Sequence, residues 1–175
     1  MPLQLHSPGY PSAQLLESVE RILSVTALCS MATRSEAGTV DINTAFFAVG
    51  PDLVFYFLSH PGAAHSRNLS HVPTMAMTVF DSHQEWGKPH EGLQLFGSAE
   101  CVASNRLEQA RAIYAARFTG YFDLVVRAEE SGRTVASGIA GLQLYAFTPT
   151  RLKLLDEATF GDEVFLTVEV VRAPN

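Results

Sequence analysis

The sequence predicts a mainly β protein, an antiparallel β-barrel with peripheral helices, and three observations carry that prediction. Eight short runs have strand composition, against three with helical spacing. Turn signals only a few residues long separate most successive strand runs, which suits antiparallel neighbours and not the crossover connections of a parallel sheet. The 175 residues are 47% apolar, enough for one substantial core, so a single domain over 1–175 is expected.

The elements follow in order. After a lead at 1–11, Ser12 is placed to cap a helix in which Leu15, Leu16, Val19, Ile22 and Leu23 recur with helical spacing. Residues 26–33 form an apolar run and 34–38 a polar turn. The runs 40–47 and 53–58 are rich in β-branched and aromatic residues, with Gly50-Pro51-Asp52 as the turn between them. Ser59 is placed to cap a short helix with Pro61 in its first turn, ending before Pro73. Strands at 74–80 and 93–102 flank a polar loop. Asn105 and Glu108 have capping-box spacing, opening a helix with Leu107, Ala110, Tyr114 and Phe118 on one side and Gly120 as its stop. The stretch 129–141, with its charges, serines and three glycines, reads as a mobile loop. Strands at 142–147, 151–155 and 164–170 complete the chain, with Thr148-Pro149 as a break and Gly161-Asp162 as a turn.

Composition narrows the function. Eighteen acidic residues against 12 Lys and Arg give a net charge of -6, opposite to the basic balance of nucleic-acid binders. No apolar run approaches a membrane span, and residues 1–10 lack a charged region followed by a hydrophobic stretch, so a cytoplasmic protein with no membrane partner is expected. Cys29 and Cys101 lie in apolar runs without a C-x-x-C pattern and read as buried, reduced thiols. The loop 81–91 holds His83, His90, several carboxylates and the only tryptophan, Trp86. Its spacing fixes no metal geometry, and it reads as a polar loop with an aromatic anchor.

Three places could carry chemistry. A helix starting near Pro61 presents unpaired N–H groups to an anion, and His65, Ser66 and Arg67 add donors there, Arg67 in the bidentate geometry that suits phosphate. The alternative is a solvated surface helix. Asn43-Thr44-Ala45-Phe46 interrupts an apolar strand with polar residues that either face a ligand or lie wet on an edge strand. Backbone groups of such a strand can read a planar heterocycle, with Phe46 or Phe57 as an apolar wall. Gln94, opposite in face to Leu93 and Leu95, either bonds a ligand or points to water.

Taken together, the strings 29–33, 43–47, 53–57, 65–73, 93–97 and 114–118 resemble, in order and spacing, the pyridoxamine 5'-phosphate oxidase-like FMN-binding split-barrel superfamily. The late strand 151–156 is especially similar to a group of small bacterial members. The resemblance implies an antiparallel Greek-key split barrel, a homodimer with FMN in grooves at the interface, and a flavin-dependent oxidoreductase acting on a small organic substrate. A non-catalytic flavin- or haem-binding protein and a deazaflavin-dependent reductase are the alternatives within the same fold. By the resemblance, the strand Asn43 to Phe47 flanks the isoalloxazine, with Asn43, Thr44, Ala45 and Phe46 at the flavin, and the strand end Tyr56 to Ser59 lies near the ribityl chain, with Phe57, Leu58 and Ser59 as its contacts. His65, with Ser66 and Arg67, falls where relatives place a basic residue on the phosphate. Gln94 sits two residues later along its strand than the flavin-contacting Gln of relatives, on the same face.

Overall fold

A computed structural model describes residues 3–120, 141–161 and 164–172. Most of the stretch 129–141, read above as a loop, and the Asp162 of the last turn lie outside them.

The strands are β1 (Gln4–His6), β2 (Leu28–Arg34), β3 (Val40–Val49), β4 (Phe55–Ser59), β5 (Thr74–Val79), β6 (Glu91–Cys101), β7 (Gln143–Asp156) and β8 (Phe165–Val171). Between them stand the helices α1 (Ser12–Val25), α2 (Ala64–His71), α3 (Leu107–Arg117) and α4 (Glu157–Phe160), with a 3₁₀ turn at Ser104–Arg106. The antiparallel ladder runs β7-β4-β3-β2-β5-β6 and returns to β7, closing a six-stranded barrel, while β8 and then β1 extend outward from β7. Closure removes the exposed edges that a six-stranded open sheet would present.

Alternation sends one side of each strand inward. Met31, Phe47, Phe55, Phe57, Met77, Leu93, Leu95, Phe147 and Leu152 fill the interior. The two ends of the barrel are covered by different helices. Helix α1 contributes Leu15, Val19, Ile22 and Leu23 at one end, and α2 contributes Leu69 at the other. Helix α3 lies outside instead, where Ala110 and Tyr114 pack on Ala48, Tyr56, Leu144 and Ala146.

Several boundaries differ from the sequence reading. The break expected at Thr148-Pro149 is a β-bulge within one continuous strand, β7, because the pairing with β6 shifts between Phe96 and Gly97 and so accommodates a proline that cannot join a regular ladder. Ser12 does not cap α1. The N-cap is Pro11, and the Ser12 hydroxyl instead accepts the N–H of Leu5, which fastens β1. The capping box at Asn105 and Glu108 is absent, since the chain enters α3 through the 3₁₀ turn without a side-chain cap. Helix α3 ends at Arg117, short of Gly120.

At the α1 end, Asp156 closes β7 with a compact polar lock. Its carboxylate accepts the Ser18 hydroxyl at 2.6 Å, Arg21 Nη2 at 2.7 Å and the Thr159 N–H at 3.1 Å. The second guanidinium nitrogen of Arg21 reaches Glu91 at the start of β6. Burial works to raise the Asp156 pKa, but the bonds from Ser18 and Thr159 and the charge of Arg21 prevail and hold it below the ordinary aspartate value.

Candidate functional site: a cleft at the free edge of β3

The site begins with a strand that is partly unpaired among the described residues. β3 pairs with β2 over residues 40–46 but with β4 only over 47–49, so no described strand pairs with the other edge of residues 40–46. The Phe47 N–H donates to Ala27 O at 3.1 Å, which sets the phase of the antiparallel ladder. Alternate residues bond β2, and Thr44 and Phe46 between them turn their backbone groups toward the open edge. This is the split of the barrel.

A cleft of about 870 Å³ occupies that opening. Asn43, Thr44, Ala45 and Phe46 form one side, Tyr114 and Phe118 of the α3 end form another, and Leu58, Ser59, His60, Ala63 and His65 form its head. The Phe46 and Phe118 rings meet edge to face at 5.7 Å, and Phe118 packs on Tyr114 at 4.8 Å, making an apolar wall opposite the polar strand edge.

Helix α2 opens at the head of the cleft. Its first residue is Ala64, later than expected, because Pro61 sits in a turn closed by the Ala63 N–H on His60 O rather than in the helix. The N-cap is Ala63, which has no side chain able to cap, and no capping bond is made there among the described residues. An uncapped helix start beside a cavity is suited to an anion.

Ser59 cannot cap α2 because its hydroxyl is engaged elsewhere. Ser59 Oγ lies 2.5 Å from His65 Nε2 and 2.9 Å from Ser66 Oγ, all at or below the floor of the cleft. Burial lowers the His65 pKa, and the nearby Asp41 carboxylate offsets only part of that effect. His65 is therefore a neutral hydrogen-bonding group at pH 7. Below it, Asn68 donates to Asp41 Oδ2 at 2.8 Å and Thr33 Oγ1 at 3.1 Å, which ties α2 to β2 and β3.

The sequence-predicted residues divide into groups. Asn43, Thr44, Ala45, Phe46, Leu58, Ser59 and His65 all line the cleft. Ser66 is buried just beneath it, bonded to Ser59. Arg67 stands exposed on α2, its guanidinium donating to Gly62 O. Phe57 does not face the cleft: it is 0% exposed and stacks on Tyr145 inside the barrel at 5.5 Å. The phase of β4 decides this, since Phe55 and Phe57 point into the barrel core while Leu58, on the other face, lines the cleft. Gln94 lies on β6, three strands from β3, on the outer face of the sheet.

The sequence reading missed His60, Ala63, Tyr114 and Phe118 as cleft residues, and Arg117 with them. Arg117 Nη2 donates to Leu23 O at 2.9 Å and to Thr26 O, so it caps the end of α1, and its guanidinium lies 4.5 Å over the Phe47 ring. Burial lowers its pKa. The thiol expectation holds for one cysteine only. Cys29 is buried and pushed up to about 12 by desolvation, whereas Cys101 is exposed.

The outer face of β3-β2-β5-β6 is banded. The registers place Thr44, Ser30, Thr78 and Gln94 in one polar row and Ile42, Ala32, Ala76 and Phe96 in an apolar row beside it. On the other flank Phe46, Leu28 and Phe80 share a hollow. Ile42 is 78% exposed and Phe46 55%, so a broad apolar surface meets water in the isolated chain.

The class defined by this geometry is a split barrel with a cleft at the split. The sequence profile of pyridoxamine 5'-phosphate oxidase matches residues 15–156, and the chain belongs to that family. A search of curated protein sequences finds no match. Among solved structures, a haem-binding protein from Mycobacterium smegmatis superposes with a TM-score of 0.64 at 19% identity, covering 90% of this chain and 58% of that one. The chain thus spans less than two thirds of the mycobacterial protein. The haem storage protein HutZ from Vibrio cholerae gives 0.61 at 18% identity, covering 78% and 91% of the two chains. A Clostridium acetobutylicum protein of the pyridoxinephosphate oxidase family, related to general stress protein 26 of B. subtilis, gives 0.61 at 14%, covering 90% and 94%. At such identities the likeness shows the shared fold.

Proposed function

We propose that the chain is an FMN-binding oxidoreductase acting on a small organic substrate, with FMN held in the cleft at the free edge of β3. The observation that carries this reading is the cleft's polarity. A strand edge with free backbone donors and acceptors faces an aromatic wall, and an uncapped helix start stands at one end, which matches a planar heterocycle joined to a phosphate.

The residues fit the group in detail. Asn43, Thr44 and the backbone of Phe46 would read the ring edge, Phe46 and Phe118 would cover its apolar part, and the α2 N–H groups with Arg67 would take the phosphate. Among the described residues the guanidinium of Arg67 is held by the exposed Gly62 carbonyl, a bond that a phosphate can replace. His65, neutral, would hold Ser59 and Ser66 in position rather than supply charge. Bound FMN would supply the redox chemistry, while the protein orients it and the substrate.

The reading extends to a homodimer formed through the banded outer face. Isologous contact sets one surface on itself, and rows of like polarity permit that without burying an unpaired charge. No helix among the described residues is long and apolar enough to cross a membrane.

Haem is less well served by this cleft. His60 Nδ1 accepts the Gly62 N–H at 3.0 Å, which leaves the neutral ring's proton on Nε2, and His65 Nε2 is occupied by Ser59. Each imidazole thus has one nitrogen already engaged within the chain, Nδ1 at His60 and Nε2 at His65. Parallel titration with FMN, haem and a deazaflavin tests the proposal, which predicts FMN uptake and no His-dependent Soret band. A deazaflavin that binds while FMN does not would overturn the choice of cofactor.

A further inference from the structure

We propose that the chain holds a second ligand site, a pocket between α1 and the β3–β4 turn that takes a small aliphatic carboxylate with its charge on Arg117. The pocket has a volume of about 350 Å³, lined by Leu16, Val19 and Leu23 from α1 and by Val49 and Leu53 from the turn. It meets the cleft at Arg117, which lines both. None of its lining residues belongs to the rows of the banded outer face, so a dimer formed there does not draw on them.

The charge of the ligand follows from Arg117. A guanidinium is a multiple donor that stays charged, and one held out of water calls for an anionic acceptor. Arg21 and Arg106 each pair with a carboxylate. Among the described residues Arg117 has only carbonyl acceptors, Leu23 O and Thr26 O, and both bond the same nitrogen, Nη2. Burial alone acts on its pKa and lowers it, an effect that a carboxylate in the pocket would offset.

The body of the ligand follows from the walls. Among the described residues they are largely aliphatic and hold no aromatic ring, which suits a saturated chain and not the planar heterocycle of the cleft. One wall is a strained residue. Leu53 has φ 59°, the left-handed region that a side chain of its size rarely enters. Its N–H donates to Gly50 O at 3.0 Å, and Arg172 fastens the same turn, donating to Asp52 O at 3.0 Å and to Pro149 O at 2.7 Å. Glycine would take that conformation without strain but would leave the pocket without this wall. Strained residues held by their surroundings cluster at ligand clamps. Glu20, exposed on the α1 side of the pocket, opposes an anion there, so the carboxylate seats at Arg117 and not beside Glu20.

The experiment is calorimetric titration of the full chain with octanoate at saturating FMN. Octanoate should bind, hexanoate about tenfold more weakly for its two missing methylenes, and octan-1-ol about tenfold more weakly for the lost charge-assisted bond. Glu20→Gln should tighten octanoate, and Arg117→Gln should abolish its advantage over octan-1-ol. Leu16→Trp fills the pocket and should lose octanoate while taking up FMN as the wild type does. The new indole should emit to the blue of Trp86, which is 96% exposed and not the packed anchor that its loop's composition suggests. Octanoate that binds Leu16→Trp as tightly as the wild type, octylamine that binds in place of octanoate, a new indole that emits as far to the red as Trp86, or no octanoate uptake at all overturns this inference and leaves the flavin reading standing. A chain that binds octanoate, loses it in Leu16→Trp and takes up no FMN overturns the flavin reading and leaves this inference standing.

Discussion

Ser59 Oγ and His65 Nε2 stand 2.5 Å apart, joining the last residue of β4 to the first turn of α2 at the head of the cleft. Either partner can supply the proton of this bond, and burial sets which form of His65 is favoured. Burial lowers the His65 pKa from 6.5, so at mildly acid pH the unfolded chain takes up a proton that the native chain resists. Stability should therefore fall as pH drops from neutral through 6.5, and His65→Gln should lose less than the wild type over that interval. Urea unfolding at pH 7.5 and 5.5 measures the difference. Equal losses in the two proteins would contradict a buried neutral His65.

The phosphate grip predicted here is pH-independent on the alkaline side, because it rests on a guanidinium, a group that stays charged in proteins, and on backbone N–H groups. FMN affinity should be flat from pH 7 to 8.5, and Arg67→Ala should weaken it by about tenfold, the worth of one charge-assisted contact of about 1.5 kcal/mol. His65→Gln should have a smaller effect. Affinity that declines steeply with pH and disappears in His65→Gln would instead make His65 the cationic phosphate ligand.

At the far end of the barrel, the 1% exposed Asp156 offers a test of the fold itself. Asp156→Ala leaves the Ser18 hydroxyl and Arg21 without their shared acceptor, at a cost of about 3 kcal/mol. The Asp156 pKa is depressed, so the carboxylate's contribution is present above the ordinary aspartate pKa and is lost as pH falls through the lower folded value. Acid unfolding of Asp156→Asn should accordingly show a weaker pH dependence than that of the wild type.

The β6–β7 bulge makes a similar demand on one residue. A Cβ at Gly97 would lie 2.1 Å from Thr148 O and 2.7 Å from the Pro149 Cα, both backbone atoms with no freedom to move. Gly97→Ala should destabilise by about 3 kcal/mol or more, or fail to fold. A thermal midpoint near that of the wild type would mean the bulge is not formed as described.

Gly97 and Pro149 also show where the sequence stopped being legible. Hydrophobic alternation placed the strands well, because it is local and sets which side chains face inward. The break read at Thr148-Pro149 was wrong because only the partner strand reveals that a proline sits at a bulge. β1 escaped notice for the same reason, being held by β8 and by Ser12. In the site, the polar run at Asn43 and Thr44 signalled the cleft, but the free edge that creates it depends on how far β4 pairs. Phe57 was misplaced although the phase of β4 could have assigned it inward. Arg117 left no local signal, since its carbonyl partners come from the end of α1 and the residue that follows.

The central claim is that this cleft binds FMN, and titration of the purified chain with FMN, read by flavin fluorescence, tests it most directly. Binding of one FMN per chain at micromolar concentration or below, weakened by Arg67→Ala and by Phe46→Asp, is the predicted result. An unchanged flavin signal at micromolar protein, from a chain whose unfolding transition shows it to be native, would contradict it.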